Sequence, residues 1–521
     1  MPQHRKQQPR VPPIVVVLAV VAVAASVTYF VTGRLGGDGD GDRATDVNPG
    51  ASPQVDEDDE ATTTAEETTT TTPPFDGWVD PASSGQPYGD QVQGIITFRG
   101  NPTRSYYGEG PVPRAPQVAW TFPDSAMCAQ SSEGSETRTW CGTGWTGQPS
   151  VFERDGRTWV VFGAYDRNVH FVDAATGQRI IEDFPTGDII KGSVTVDADA
   201  FPLVYTGSRD NYLRVIAFDR PVPTELWRIS ADAVSPTMWN DDWDGSPLMI
   251  GDYLFEGGEN SQFHIIKLNR SYGADGLVQV NPELVFNTPG WDQELLGAVG
   301  DRMVSIENSV AISGNTVYFT NSGGLVQGWD LSGVEGGQPP TQVFRFWSGD
   351  DTDASIVIDD EGFLYVASEY ERGNARSQEL GQLMKLDPRN PANPLVWSVF
   401  DNDVRPGGMW ATPAIYEDVV IAATNRGEVL GVDRATGAVR WRKSLPGPTW
   451  QSPVVVDDVL VQGDCAGVLH AFDLSNTAVD PPEIWQLELG GCIESTPAVW
   501  RGGIYVGTRS GRFFAVTDGP P

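Results

Sequence analysis

Four short stretches of the sequence carry acidic, asparagine, arginine or tryptophan side chains that could bind a ligand. The candidate ligand-binding residues in them are Trp239, Asp241, Asp242, Asp244, Glu307, Asn308, Asp351, Asp353, Arg405 and Trp410. Carboxylate and amide oxygens are ligands for calcium, whereas tryptophan and arginine can stack on or clamp a flat or anionic molecule. The four stretches form a ligand site if the fold brings them together. The alternative is that they are solvated turns whose tryptophans pack between neighbouring elements.

A repeated unit, clearest between Ala411 and Trp441, must position these stretches. Ala414–Tyr416, Val419–Ala423 and Glu428–Val432 are predicted strands, because they are short, apolar and rich in β-branched residues. Asp433–Gly437 is a predicted tight turn, since aspartate can bond its own backbone and glycine can adopt positive φ. A single meander of this size cannot bury both faces, so it must stack against copies of itself.

Eight copies of the unit can be aligned on the residue pair that opens the first strand. The pairs are Gln148-Pro149, Ser193-Val194, Ser246-Pro247, Ser309-Val310, Ser355-Ile356, Thr412-Pro413, Ser452-Pro453 and Thr496-Pro497. Their successive spacings bracket the roughly 40 to 50 residues of a propeller blade. The series predicts an all-β, eight-bladed β-propeller, because a sandwich of unrelated strands would not produce this recurrence. Turns after the second strands add Arg209 and Arg509 to the face that carries the candidate residues.

The last unit is too short to complete its own blade. The residues after Thr496 suffice for three strands but not for a fourth, whereas Gln117–Phe122 carries Trp120 where other units carry Trp441 and Trp485. We therefore expect this N-terminal strand to be the outermost strand of the last blade and to close the ring. The predicted leader is 75–116 and the predicted propeller is 117–521.

The N-terminal region is predicted to anchor the protein. Residues 1–13 are basic and residues 14–32 carry no charge, so the sequence predicts a cytoplasmic tail followed by a single transmembrane helix. A cleaved signal peptide is the alternative, with Ala22–Ala24 as its A-x-A triplet, but apolar residues continue through Val31 and favour a retained anchor. Residues 33–74 are acidic and rich in threonine and proline, which predicts a disordered linker.

The charge of the chain restricts the kind of partner that it can bind, and its cysteines indicate the cellular compartment in which it folds. The chain has 70 acidic and 35 basic residues and a net charge of −35, which argues against nucleic acid as a partner. Four cysteines allow three pairings. The places of Cys465 and Cys492 in neighbouring units favour one bridge between them, whereas Cys128 and Cys141 lie within one loop before the first complete unit and would pair locally. Disulfides suit the extracytoplasmic side of a membrane. Metal ligation is the competing interpretation, but no C-x-x-C or Cys-His spacing occurs and no metal site is predicted.

Three motifs resemble the pyrroloquinoline-quinone-type (PQQ-like) β-propeller repeat family. They are "DRATGAVRW" at 433–441, "DAATGQRI" at 173–180 and "FRGNPTRSYYGEGPVP" at 98–113. The family includes quinoprotein dehydrogenases and non-enzymatic relatives, among them an outer-membrane assembly lipoprotein. For a dehydrogenase the resemblance would imply bound quinone and calcium. The dehydrogenases use a pair of adjacent cysteines beside the cofactor, and this sequence has no Cys-Cys pair.

No motif in the sequence identifies a reaction, so no catalytic residue is predicted. His170 and His470 hold the same position in two units that are not neighbours, and packing explains them better than catalysis. We therefore expect a single-pass, membrane-anchored propeller outside the cytoplasm that serves as a binding or scaffold module of the cell envelope. Its partner would be an envelope protein or a small ligand. The alternative is a quinone- and calcium-dependent oxidoreductase, a PQQ-dependent dehydrogenase with Trp410 beneath the cofactor.

Overall fold

The computed structural model describes residues 75–133, 136–144 and 147–519. The predicted cytoplasmic tail, transmembrane helix at 14–32 and linker at 33–74 lie outside the described residues. Within the described ranges, no helix has the length and apolar character needed to cross a membrane.

Eight antiparallel blades follow one another through the described residues, which confirms the predicted eight-bladed β-propeller. The first strands contact one another between blades 4 and 5, 6 and 7, 7 and 8, and 8 and 1, so the first strands are the innermost strands of the ring. Blade 1 contains Ser150–Arg154, Arg157–Gly163, Asn168–Asp173 and Phe184–Pro185. Blade 2 contains Thr195–Val196, Leu203–Thr206, Tyr212–Ala217 and Thr224–Ser230. Blade 3 contains Leu248–Ile250, Tyr253–Gly257, Gln262–Lys267 and Glu283–Pro289.

The remaining blades repeat this plan. Blade 4 contains Ala311–Ser313, Thr316–Phe319, Leu325–Asp330 and Thr341–Trp347. Blade 5 contains Val357–Ile358, Leu364–Ala367, Leu383–Leu386 and Leu395–Val399. Blade 6 contains Ala414–Tyr416, Val419–Ala423, Glu428–Asp433 and Val439–Ser444. Blade 7 contains Val454–Val456, Val459–Gly463, Val468–Asp473 and Glu483–Glu488. Blade 8 contains Ala498–Trp500, Gly503–Thr508, Arg512–Asp518 and, from the N-terminal side, Pro116–Phe122.

Short elements lie between the blades. Three two-stranded ribbons pair Cys128–Glu133 with Glu136–Cys141, Ser271–Tyr272 with Val278–Gln279, and Glu369–Tyr370 with Gly407–Gly408. The helices are Gln293–Val299 and Ala375–Leu380, and the 3-10 turns are Pro81–Ser83 and Ala231–Ala233. We call the first ribbon the disulfide hairpin, because Cys128 and Cys141 are joined across its base.

Hydroxyl groups join the openings of successive blades. At five of the eight openings within the described residues, the first residue of the opening pair donates its backbone N–H to the serine or threonine hydroxyl that opens the next blade. The pairs are Gln148 to Ser193, Ser246 to Ser309, Ser309 to Ser355, Ser355 to Thr412 and Thr412 to Ser452, at 2.8–3.1 Å. These groups are buried, and a buried N–H without an acceptor would cost about 1–3 kcal/mol. The recurrence of serine and threonine at the openings therefore has a structural cause.

Tryptophans in the outermost strands of blades 5 to 8 bond to the next part of the ring. The indole Nε1 donates to a backbone carbonyl of the following blade or, for Trp485, to a carbonyl of the leader just before the outermost strand of blade 8. The pairs are Trp397 to Arg434, Trp441 to Thr477, Trp485 to Pro113 and Trp120 to Ala174, at 2.8–3.2 Å. Trp120 thus has the contact expected of the outermost strand of blade 8. Pro116–Phe122 pairs antiparallel with Arg512–Asp518, and Val118 lies opposite Val516.

The leader crosses the central channel and forms a floor beneath the blade openings. Gly94–Ile95 pairs with the first strand of blade 1, and Gly108–Glu109 with that of blade 8. Between them, Arg99 donates to the carbonyls of Pro413 and Pro453 in blades 6 and 7. Arg104 donates to the carbonyls of Val310 and Ser246 in blades 4 and 3, on the opposite side of the ring. Bonds to both sides place the leader across the axis.

Both predicted disulfides are present in the structure. Cys128 is joined to Cys141, and Cys465 to Cys492. The second bridge links the turn between the second and third strands of blade 7 to the loop that enters blade 8. No cysteine of the chain is left free.

Candidate ligand-binding site

A cavity of about 500 Å³ lies at the end of the ring where the chain enters the innermost strands. Its lining combines aromatic rings with side chains of both charges. The lining residues are Arg138, Thr139, Trp140, Tyr165, Lys191, Arg209, Glu307, Asp353, Trp410, Trp450, Glu494 and Arg509. A few charged groups among aromatic walls are typical of small-molecule sites.

One sequence position supplies half of this lining. The residue two places before a blade opening is Lys191 in blade 2, and its equivalents in blades 4 to 8 are Glu307, Asp353, Trp410, Trp450 and Glu494. The equivalent residue of blade 3, Asp244, pairs with Lys191. The blades are arranged around one axis. The residue at this same position of each blade therefore lies on the rim of the same cavity.

The disulfide hairpin supplies the cavity wall near blade 1. Trp140 on this hairpin lies beside Arg209 and Arg509, whose guanidinium carbons are 5.3 Å and 5.0 Å from the centre of its ring. Its ring also meets that of Tyr165 edge-on, with centroids 5.5 Å apart. The indole therefore holds two cationic side chains in place at the cavity edge through cation–π contacts.

The cations of blade 2 are matched by buried acids from blade 3. Lys191 forms ion pairs with Asp244 and with Glu259, the latter at 3.5 Å, and Arg209 lies 2.6 Å from Asp242. Burial alone would lower the pKa of Lys191, but Asp244 and Glu259 raise it well above its usual value. Burial and the nearby Asp244 raise the pKa of Asp242 to about 7. This side of the cavity is close to electrically balanced.

The acids of blades 4 and 5 form a carboxyl cluster, defined here as Glu307, Asp351, Asp353 and Glu369. Burial and then Asp353 raise the pKa of Glu307 to about 8. Burial, followed by Asp353, also raises the pKa of Asp351 and of Glu369 well above their usual values. Asp353 hydrogen-bonds to both Asp351 and Glu369, which requires that these groups share protons. The cluster is therefore largely uncharged at neutral pH.

Replacing Glu307 by glutamine should stabilise the protein at high pH. Because burial raises the pKa of Glu307 to about 8, folding binds its proton, and the stability that this gives is lost as pH rises through that value. We expect Glu307→Gln to raise the free energy of unfolding by about 1 to 3 kcal/mol at about pH 9 and to change it little at about pH 5. Glutamine can still accept from the hydroxyls of Ser305 and Ser322, which lie 2.5 Å and 3.1 Å from Glu307 Oε1.

Thermal unfolding of both proteins at the two pH values measures the effect. Glu335→Gln is the matched control, because Glu335 is exposed. An equal effect of Glu307→Gln at both pH values would contradict the assignment of a titrating group at this position.

The structure brings together six of the ten candidate residues. Glu307, Asp353 and Trp410 line the cavity. The other three lie directly behind this lining, where Asp351 belongs to the carboxyl cluster and Asp242 and Asp244 hold the cations of blade 2.

Four candidate residues lie elsewhere. Trp239 and Asp241 line a separate surface depression, and Trp239 is 52% exposed. Asn308 is buried and bonds the backbone of Thr320. Arg405 is at the surface and donates to the carbonyl of Arg372 at 2.7 Å.

The candidate set did not include several lining residues. Lys191 and Glu494 could have been found from their position two residues before a blade opening. Trp140 had no such signal, because the disulfide hairpin is not part of the repeat. Tyr165 follows the second strand of blade 1, where the other repeats have no equivalent aromatic residue in the lining.

The residues of the cavity do not fit the quinone and calcium of a quinoprotein dehydrogenase. The rings of Trp410 and Trp450 lie 4.9 Å apart at 44°, so each covers the other rather than offering one open flat floor. Asp351, Asp353 and Glu369 each bring one oxygen within 4.8 Å of the others, which is at most half of the six to eight oxygens that calcium takes. All four cysteines belong to bridges between residues distant in sequence, so no adjacent pair can form beside a cofactor.

Comparison with known proteins supports the fold. Among solved structures, the chain is similar to a quinohemoprotein alcohol dehydrogenase from Comamonas testosteroni, with TM-score 0.53 and 12% identity over 83% of this chain and 82% of that one. It is also similar to Saccharomyces cerevisiae Sqt1, with TM-score 0.52 and 11% identity over 73% of this chain and 97% of that one. BamB from Moraxella catarrhalis aligns with TM-score 0.38 and 13% identity over 77% of this chain and 100% of that one.

Comparison with known sequences gives a match over only part of the chain. No curated protein matches the chain significantly. The family model described as "Outer membrane protein assembly factor BamB" matches residues 383–519, which correspond to blades 6 and 7 with parts of blades 5 and 8. These findings confirm the resemblance to the pyrroloquinoline-quinone-type propeller repeat family, whose repeats the family model identifies in residues 383–519.

Proposed function

We propose that this protein is a ligand-binding propeller that holds a small polar molecule in its central cavity. The observation that carries the proposal is the construction of the cavity: its rim takes the same register position from successive blades, and the leader lies across the channel beneath it. A channel closed at one end and open at the other has the shape of a binding cup. Its volume of about 500 Å³ is within the roughly 300–1,000 Å³ of ligand pockets.

We infer that the propeller works outside the cytoplasm as a binding module of the cell envelope, anchored by the span expected at 14–32. The two disulfides support this location, because such bonds persist in oxidising compartments. We also propose that the pairing of Pro116–Phe122 with Arg512–Asp518 closes the ring and keeps the cup rigid. Binding is favoured over catalysis, since the described lining of the cavity offers neither an activated nucleophile nor a fitting cofactor site.

A screen of the full-length protein tests the proposal. Small polar molecules that raise its thermal unfolding midpoint are titrated against the wild type, Trp450→Ala and Trp239→Ala. We expect Trp450→Ala to weaken binding about tenfold or more, because tryptophans in pockets contribute about 2 kcal/mol or more. Trp239→Ala is the matched control, since Trp239 lies in the separate depression. The proposal fails if no molecule binds, or if every bound molecule is insensitive to Trp450→Ala.

A further inference from the structure

The carboxyl cluster and the two tryptophans occupy neighbouring parts of the cavity. Glu307 and Asp353 come from blades 4 and 5, and Trp410 and Trp450 come from blades 6 and 7, so the four residues follow one another around the rim. One part of the lining is thus acidic, and the part beside it is aromatic.

The positively charged side chains on the other side of the cavity already form ion pairs with acidic residues. Lys191 and Arg209 pair with the buried acids of blade 3, as described above, and Arg509 pairs with Glu494 at 2.9 Å. Arg138 pairs with Glu136 on the disulfide hairpin. These pairs leave little unmatched positive charge for an anionic ligand.

The cationic groups near the carboxyl cluster are paired more closely with other acids. The charge of Lys191 opposes the rise that burial causes in the pKa of Glu307, but Lys191 forms its ion pairs with Asp244 and Glu259. Glu307 accepts only from the hydroxyls of Ser305 and Ser322 among the described residues. Arg372 approaches no closer than 3.9 Å to Asp351 and lies nearer to Asp301, at 3.2 Å.

Three oxygens of the cluster are buried and accept from no N–H or hydroxyl donor within residues 75–133, 136–144 and 147–519. They are Asp351 Oδ1, Asp353 Oδ1 and Glu369 Oε2, and the residues Asp351 and Glu369 are 7% and 2% exposed. Only the protons shared between the carboxyl groups serve these oxygens. Buried acceptors usually have a donor from protein or water, so the cluster is suited to a positive group that replaces the shared protons.

We propose that the cavity binds an organic ammonium ion, with its charged nitrogen between the carboxyl cluster and the rings of Trp410 and Trp450. This inference rests on the proposed function and names the class of its ligand. The carboxylates supply the charge, and the indole rings supply a surface that attracts a cation carrying apolar groups. Tryptophan rings offer nothing to a metal ion, which would need its remaining oxygens from elsewhere. The aromatic neighbours therefore favour an alkylated nitrogen over calcium.

Binding of such a cation is coupled to proton release. Glu307 faces Asp353, Asp244, Glu259 and Lys191, and it holds a proton when no other cation is near the cluster. A bound ammonium ion favours the carboxylate, so the proton leaves as the ligand enters. The affinity for the ammonium ion should consequently rise with pH up to about pH 8, the pKa of Glu307, above which this carboxyl group is ionised even without a ligand.

Calorimetric titration of the full-length protein tests the proposal with choline and with neohexyl alcohol, in which a carbon atom replaces the nitrogen. At about pH 9 we expect choline to bind roughly tenfold or more tightly than the neutral alcohol, because a desolvated cation–π contact and a carboxylate both act on its charge. Glu307→Gln should remove most of this preference, whereas Asp241→Asn, in the separate depression, should leave it unchanged. Choline binding should weaken roughly tenfold for each pH unit below about 8.

Each other outcome overturns the inference in a recognisable way. Equal binding of choline and the neutral alcohol, both sensitive to Trp450→Ala, would exclude an ammonium site but retain the binding cup. Binding of calcium chloride that competes with choline and is abolished by Glu307→Gln would assign the cluster to a metal ion. Absence of binding by either organic probe would reject the ammonium class, and the screen described above would then decide separately whether the cup binds anything.

Discussion

Arg99→Leu is expected to lower the free energy of unfolding by about 3 to 5 kcal/mol, because it removes both donors that hold the leader to blades 6 and 7. Arg99 is fully buried, donates to the carbonyls of Pro413 and Pro453, and stacks its guanidinium carbon 4.2 Å from the ring centre of Tyr107. Leucine fills part of the space but leaves two buried carbonyls without a donor. Each such group costs about 1–3 kcal/mol.

Urea unfolding followed by tryptophan fluorescence measures this loss. Arg389→Leu is the matched control, because Arg389 is exposed and pairs with Asp387 at 2.7 Å at the surface, where such pairs contribute at most about 1 kcal/mol. Equal losses for the two variants would show that the leader is not needed to hold the ring together.

Lys191→Met is expected to destabilise the protein by about 3 to 5 kcal/mol at neutral pH, since it leaves Asp244 and Glu259 buried without their cation. The loss depends on pH. Lys191 lowers the pKa of Asp244 below its usual value against the effect of burial, so the stability from this pair is present above that usual value and lost as pH falls through the lowered one. The difference between variant and wild type should therefore shrink below about pH 4.

The measurement compares unfolding midpoints across this pH range. Lys443→Met is the control, because Lys443 pairs with the largely exposed Asp480 at 2.9 Å. A loss from Lys191→Met that stays constant down to about pH 3 would mean that packing of the lysine stem, rather than its charge, stabilises the site.

The ring could be predicted from sequence because the same hydrogen bonds recur between successive blades. Serine and threonine recur at the openings because their hydroxyls accept from the preceding blade, as Ser309 does from Ser246. Trp120 could be assigned to blade 8 because its contact with Ala174 repeats that of Trp441 with Thr477. Interactions repeated around a ring leave a pattern in the chain, and the Cys465–Cys492 bridge followed once that pattern had been aligned. The Cys128–Cys141 bridge followed instead from the closeness of the two cysteines within one loop.

The site was less predictable, because a small change of register moves a side chain away from the cavity. Glu307 lies two residues before its blade opening and lines the cavity, whereas the adjacent Asn308 turns inward to bond the backbone of Thr320. Trp239 is farther from its opening and reaches a different surface. Trp140 could not be located at all, since its position depends on how the disulfide hairpin folds over the ring. Charge matching, such as that of Lys191 with Asp244, is likewise visible only in three dimensions.

The pairing of Pro116–Phe122 with Arg512–Asp518 also determines when the ring can be completed during protein synthesis. Arg114, which precedes this strand, bonds Asp518, 404 residues later in the chain. Ribosomes add about 5–20 residues per second, so the strand waits roughly 20–80 s for the partner that covers its edge. During that interval its unpaired N–H and C=O groups are open to strands of other nascent chains. The yield of folded protein should therefore depend on the length of that interval and on the concentration of other nascent chains. The stability of the finished ring alone does not determine it.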